Sequence, residues 1–323
     1  MDRRQLGRTG IEVSPIGLGC MQLSGSGLVA GFYPRIDQPA ATSIIGAALA
    51  GGIDWFDTAE LYGNGGSERA LTTALAEHGI EPGGVTIATK WLPLLRTAAG
   101  IPRTVGARLD ALQGFPIDLH QIHMPSGSLS PLSAQVRRMA DLKGDGRIRA
   151  VGVSNFSARQ MTAAHDVLRS RGMVLASNQV QVNLLHRRIE RDGTLEAARR
   201  LGVTLIAFSP LRSGLLTGKF HADPGLLAAI PQPRRTMGGF TPKTLARTAP
   251  LIDELRAIGD AHGATPAQVA LNWLITFYGD TVVAIPGASK PRQATESAGA
   301  MGFTLTDRER DRLDELSRAC APG

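Results

Sequence analysis

The stretch Gly51-Gly52-Ile53-Asp54-Trp55-Phe56-Asp57-Thr58-Ala59-Glu60-Leu61-Tyr62-Gly63 decides how the chain is read. Residues 53–56 form a short apolar run that suits a buried strand. An acid ends it, a tyrosine follows five residues later, and a glycine turn comes next. Two further apolar runs end in chemically active side chains. Lys90 ends Val85-Thr86-Ile87-Ala88-Thr89, and His123 ends Asp118-Leu119-His120-Gln121-Ile122. The step is 33 residues from 57 to 90 and 33 again from 90 to 123. That interval is one strand, one helix and their two loops. In a barrel of parallel strands, the carboxyl ends of successive strands converge on one face. The spacing therefore predicts that Asp57, Tyr62, Lys90 and His123 meet.

Short apolar runs and helical patterns alternate along the rest of the chain. Strands are expected near 16–19, 53–57, 85–90, 118–123, 148–153, 175–179, 203–208 and 281–285. Helices are expected near 39–51, 67–78, 102–113, 131–143, 157–169, 191–201, 248–262, 266–277 and 291–299. The strands lack strict polar alternation, as parallel strands buried on both faces do. Eight such units predict a (β/α)8 TIM barrel, read as one domain over residues 1–323. Residues 3–15 read as an N-terminal β-hairpin around Gly7-Arg8-Thr9-Gly10. Thr306 with Glu309 signals a capping box for an extra C-terminal helix at 306–319. Ser157 and Thr265-Pro266 read as helix starts. Residues 209–247 are rich in Gly, Pro and Arg with little periodicity, and a loop that long after the seventh strand points to function.

Bulk properties narrow the class. With 323 residues, 43% of them hydrophobic, the chain builds its core without disulfides. Its two cysteines, Cys20 and Cys320, suit a reducing compartment. No signal-peptide core or membrane span is evident, so a cytoplasmic location is expected. The net charge of +7 is spread along the chain without interleaved aromatics, which argues against nucleic acid. There is no GxGxxG after a strand, no metal-ligand spacing, and no carboxylate pair for glycoside hydrolysis.

The four residues make a proton-transfer set. A free tyrosine, with a pKa of about 10, is a poor acid near neutrality. A neighbouring ammonium stabilises phenolate, so Lys90, held by Asp57, is expected to lower that value. His123 is placed to hydrogen-bond a carbonyl oxygen. Such a set suits a carbonyl that accepts hydride, with Tyr62 delivering the proton.

From end to end the chain resembles the aldo-keto reductases. The resemblance rests on residues 57–63, Thr89-Lys90-Trp91, residues 118–123, Gly152-Val153-Ser154-Asn155-Phe156, residues 178–183, Phe208-Ser209-Pro210-Leu211 and Ile285-Pro286-Gly287-Ala288-Ser289. It implies reversible, NADPH-dependent (NADP+-dependent in reverse) reduction of an aldehyde or ketone without a metal. Tyr62 is then the proton donor, Lys90 and Asp57 tune it, and His123 orients the carbonyl.

By the same resemblance Ser154, Asn155 and Gln179 hold the nicotinamide carboxamide. Phe208 stacks on the ring, where many relatives carry tyrosine. Ser209, Leu211, Ser213, Gly218 and Lys219 begin a loop (209–247) that covers the cofactor's pyrophosphate. Gly287, Ser289, Lys290 and Gln293 approach the adenosine end. Ser289, Lys290 and Arg292 are each candidates for the 2′-phosphate. Glu296 meets the adenine, and Ser297 stands where relatives often have Asn, which weakens one adenine contact.

Tyr33, Trp91 and Met124 are the leading substrate-pocket walls, with Met21, Phe32, Trp55 and Phe156 as further candidates. Only Ala321-Pro322-Gly323 follow the last helix, so an open mouth is expected. The partner is a small-molecule carbonyl compound. A cofactor-holding accessory or sensor protein with little turnover is the alternative.

Overall fold

A computed structural model describes residues 1–25, 35–230, 235 and 239–320. Tyr33, Phe32 and residues 321–323 lie outside the described residues. A hairpin of β1 (Arg4–Gln5) and β2 (Glu12–Val13) precedes eight parallel strands. These are β3 (Leu18–Gly19), β4 (Trp55–Asp57), β5 (Thr86–Trp91), β6 (Leu119–Ile122), β7 (Ala150–Ser154), β8 (Leu175–Gln181), β9 (Thr204–Phe208) and β10 (Val282–Ala284). Each pairs with its neighbour in sequence. The ring closes where Ile16 and Gly19 bridge Ala284 and Gly287, with the Gly17 N–H donating to the Ala284 carbonyl at 2.8 Å. The expected (β/α)8 barrel is the fold observed.

Helices follow the strands in turn: α1 (Gln38–Ala50), α2 (Gly66–Glu77), α3 (Gly100–Ala111), α4 (Leu132–Gly144), α5 (Ala158–Arg169) and α6 (Thr194–Leu201). After β9 come the single turn α7 (Lys219–Ala222), then α8 (Pro242–His262) and α9 (Pro266–Phe277). The chain ends with α10 (Pro291–Gly299) and the extra helix α11 (Asp307–Cys320). Ser157 with Gln160, and Thr265 with Gln268, form the capping boxes that open α5 and α9. Thr306 and Glu309 do the same for α11.

The largest departure in a boundary is at α8, which starts at Pro242 rather than near 248, because Thr241 accepts from the Thr244 N–H and a proline occupies the first turn. The part of 209–247 before it also holds short helical turns at Arg212–Thr217, Lys219–Ala222 and Pro224–Ala229. The described residues of the segment are thus largely wound, although its sequence lacks long-range periodicity.

The barrel interior is filled from below. Trp55, Ala88, Leu119, Ala150, Ile206 and Val283 pack with Leu6, Ile11 and Val13 of the hairpin region, which plugs the amino-terminal end. Trp55 is wholly buried there, its indole N–H donating to the Ser14 carbonyl at 2.9 Å, so it is core rather than pocket wall. A Cβ at Gly17 would collide with that indole. Gly17→Val is therefore expected to lower thermal stability by about 1–3 kcal/mol, the usual penalty of overpacking. Trp55→Leu in the same chain should recover part of the loss, and calorimetric melting of the three variants checks both effects.

Between sheet and helices lies a buried polar group. Thr89 donates to Glu68 at 2.6 Å, and Arg108 donates to the other Glu68 oxygen at 2.8 Å. Wholly buried beside them, His120 has no hydrogen-bond partner on either ring nitrogen among the described residues. Burial, and then the Arg108 charge, push its imidazole down from 6.5 to about 3. The unfolded chain takes up this proton below pH 6.5 and the folded chain only near 3. His120 therefore makes the fold lose stability as pH falls through that window. Glu68, pushed above its ordinary value of 4.5 by burial, works against this slope from 4.5 upward and not below it. Chemical denaturation should show the His120→Leu variant losing less stability than wild type, by about 1.4 kcal/mol per pH unit. Parallel slopes would mean that His120 protonates in the folded state.

Candidate active site

Alternation along the strands builds the site. Trp55, Ala88 and Leu119 point into the apolar floor, so residues two further on share their face. Those residues are Asp57, Lys90 and Gln121. Lys90 and Gln121 are direct neighbours in the β5–β6 register. The Lys90 ammonium, wholly buried, donates to Asp57 Oδ1 and, at 2.9 Å, to the Thr58 carbonyl. Asp57 Oδ2 accepts from the amides of Gln121 at 3.0 Å and Gln179 at 2.8 Å. The ammonium lies 5.1 Å from the centre of the Tyr62 ring. Tyr62 in turn meets His123 edge-on, their centroids 6.0 Å apart at 86°. The four residues expected from spacing are thus brought together.

The loop that carries Tyr62 is tied down on both sides. The Tyr62 N–H donates to the Ala59 carbonyl at 3.0 Å, and the Ser67 N–H donates to the Tyr62 carbonyl at 3.1 Å. Glu60 accepts from the Leu92 N–H and from Arg96, each at 2.5 Å, which joins this loop to the one after β5. Glu60 showed no carboxylate partner in sequence. Its actual partner is a cation beyond the next strand.

The electrostatics correct one expectation. Burial raises Tyr62, Lys90 acts to lower it as expected, and Asp57 adds to the rise, so that on balance the phenol stands above its ordinary value. Burial also acts to lower Lys90, but Asp57 and then Tyr62 override it, so the ammonium stands above its ordinary value. Burial first, and Lys90 second, push His123 down to about 3. At neutral pH the site therefore holds a protonated tyrosine, a neutral imidazole and one compensated ion pair.

A cavity of about 470 Å³ opens above this ring. Asp57, Tyr62 and His123 line it, together with Ser154, Asn155, Gln179 and Phe208. Ser209, Leu211, Ser213 and Lys219, and Gly287, Ser289, Gln293, Glu296 and Ser297, line the same cavity. Ser154 donates to the Gln179 carbonyl at 3.0 Å, and the Asn155 amide to Ser154 at the same distance. Ser209 and Ser213 hold positive φ of 50° and 54°, a conformation rare for residues other than glycine. Gln293 accepts from both the N–H and the hydroxyl of Ser289, at 2.8 and 3.1 Å. α10 begins beside them with no side-chain cap, leaving backbone N–H groups for a ligand.

Several expected residues stand elsewhere. Lys90 lies beneath the cavity floor, and Gly218 and Lys290 are outside the lining. Trp91 is not a pocket wall. Next to Lys90 on the strand, it faces the helices, where Arg96 lies 5.1 Å from its ring. Met124, half-buried in the loop after β6, does not line the cavity, and Phe156 is core. Sequence reading missed Gln121 as a site residue. Its signal was its place two residues before His123, on the same face. Cys20, Met21 and Gln22 after β3 also line the cavity.

Comparison with known proteins agrees with this geometry. The model of the Aldo/keto reductase family matches residues 15–318. An uncharacterized oxidoreductase of Mycobacterium tuberculosis is 38% identical over 313 residues, covering 96% of this chain and 91% of the relative. The chloroplastic pyridoxal reductase of Arabidopsis thaliana is 33% identical, with 95% and 84% covered. Among solved structures, the glycerol dehydrogenase of Gluconobacter oxydans superposes with a TM-score of 0.83 at 30% identity, covering 98% of this chain and 94% of that one. A thermostable aldo-keto reductase crystallised with the inhibitor epalrestat gives 0.77 at 30% identity, covering 98% and 100%. The chain belongs to the aldo/keto reductase family of oxidoreductases.

Proposed function

We propose that this protein reduces an aldehyde or ketone to an alcohol, reversibly, with NADPH as cofactor and Tyr62 as proton donor. One observation carries the reading. Tyr62 is held as a phenol against the buried Lys90–Asp57 pair, in the wall of a cavity that residues at the uncapped start of α10 also line. The relatives named for pyridoxal and for glycerol support the reading, since one name denotes an aldehyde and the other an alcohol.

The residues fit a nicotinamide dinucleotide. Ser154, Asn155 and Gln179 offer the donors and acceptors a carboxamide needs, and Phe208 offers a stacking face. Lys219 and the backbone of 209–218 suit a pyrophosphate. The uncapped start of α10, with Ser289, Lys290 and Arg292, suits a 2′-phosphate. Gln293 suits the adenosine ribose, and Glu296 and Ser297 the adenine.

A bound nicotinamide supplies hydride to the carbonyl carbon. As negative charge grows on the carbonyl oxygen, Tyr62 gives up its phenolic proton to it. Lys90 stabilises the phenolate left behind, in surroundings where little water screens the charge. Neutral His123 can donate a ring N–H to the same oxygen and fix its direction. Tyr62 regains its proton through the open cavity.

Tyr62→Phe is expected to lower kcat by about 10²–10⁴-fold, the typical share of a positioned acid. NADPH affinity, followed by quenching of protein fluorescence, should be unchanged. The assay follows NADPH absorbance with a panel of aldehydes and ketones. A variant as active as wild type would remove Tyr62 from this role. Tight NADPH binding with no turnover in either protein would favour a cofactor-holding accessory protein.

A further inference from the structure

Asp57 is held by more than its lysine. Lys90 uses only Oδ1, while Oδ2 accepts two amide N–H groups, from Gln121 on β6 and Gln179 on β8. The two amides are themselves neighbours, Gln179 Nε2 lying 3.5 Å from Gln121 Oε1. The strand between them leaves the room. A Cβ at Gly152 on β7 would sit 2.8 Å from Gln121 Cγ and 2.6 Å from the Ser177 hydroxyl. Gly152 is the direct register partner of both Gln121 and Ser177. The Gln121 stem therefore crosses above a glycine to reach a carboxylate two strands away. Packing alone would ask for an apolar side chain here, as at Leu119 on the same face.

The two glutamines are not equivalent. Gln179 lines the cavity, whereas Gln121 is wholly buried and does not. A ligand that recruits the Gln179 amide can draw it from Asp57, but the Gln121 amide stays in place.

We propose that Gln121 is a positioning residue: its amide, together with that of Gln179, clamps the Asp57 carboxylate and so fixes the Lys90 ammonium against Tyr62. Without the clamp, Oδ2 is a buried carboxylate oxygen lacking a donor. It then turns toward Lys90 or takes up a proton, and either change moves the ammonium relative to the phenol. The effect on turnover rests on the carbonyl-reductase reading. The clamp itself does not.

Two measurements on the full-length protein test this. The first needs no turnover. Side-chain amide signals of Gln121 and Gln179 are assigned in ¹⁵N NMR spectra through Gln121→Met and Gln179→Met. The Gln121 signal should exchange slowly with solvent in wild type and shift in Asp57→Asn. A Gln121 signal indifferent to Asp57→Asn overturns the clamp.

The second is kinetic. Gln121→Met keeps the stem and loses the N–H. It should lower kcat tenfold or more, and move the pH profile of kcat, with the NADPH dissociation constant within twofold of wild type. A packing role alone would lower the melting temperature and leave kcat and its pH profile unchanged in the folded protein, and that result overturns the proposal. Should Gln121→Met fail to fold, the Gln121 amide is assigned by through-bond connectivity to its own backbone, and the wild-type and Asp57→Asn spectra decide. A wild type that binds NADPH and reduces nothing counts against the carbonyl-reductase reading, while the spectra still judge the clamp.

Discussion

The buried pair of Lys90 and Asp57 is the interaction on which the upper half of the barrel depends. Moving two charges out of water costs several kcal/mol per ion, and attraction alone seldom offsets it. Every donor and acceptor of the pair must therefore be met. Asp57 takes the ammonium and two amides, and Lys90 gives to Asp57 and to the Thr58 carbonyl and lies 5.1 Å from the centre of the Tyr62 ring. Such a demand reaches far into the sequence. It asks for glutamines on two other strands, for Gly152 between them, and for small residues such as Ala88 and Ala150 in the layer below. It also asks that β5 keep its register, since a slip of one residue would bring Trp91 inward and send Lys90 toward the helices.

The same pair explains why the tyrosine remains an acid. A bare ammonium beside a phenol would favour phenolate and leave nothing to donate. Here burial is the largest effect holding the proton on, and the carboxylate works against the ammonium's field as well. In the proposed reaction the proton is released only when new negative charge appears on the oxygen opposite. His123 follows similar logic: burial first, and the Lys90 cation second, keep the imidazole neutral.

Reading the sequence recovered the barrel because equal spacing and short apolar runs report parallel strands directly. Asp57, Tyr62, Lys90 and His123 were legible for the same reason, since each ends a strand or follows one closely. What stayed hidden depended on which way a side chain turns. Trp91 looked like a pocket wall because it adjoins Lys90, yet that adjacency puts it on the opposite face of the strand. Gln121 was passed over because a buried glutamine has no local pattern, and its partner lies 64 residues away. The direction of the Tyr62 shift was also out of reach, because it depends first on how deeply the ring is buried and then on how Asp57 opposes Lys90. The start of α8 was missed although Thr241-Pro242 repeats the signal used correctly at Thr265-Pro266. The irregular composition before it masked the cue.

The hairpin under the barrel has a consequence for how the chain is made. Its fixing points come from much later in the sequence. The Gly7 N–H bonds to Thr204, 197 residues on, and Arg4 reaches the carbonyls of Ile275 and Val282, 271 and 278 residues on. On the ribosome, the apolar side chains of Leu6, Ile11 and Val13 thus emerge before any surface exists to receive them. They stay uncovered until β10 closes the ring. The plug is made early and seated late, and in the interval it is the part of the nascent chain most in need of shelter.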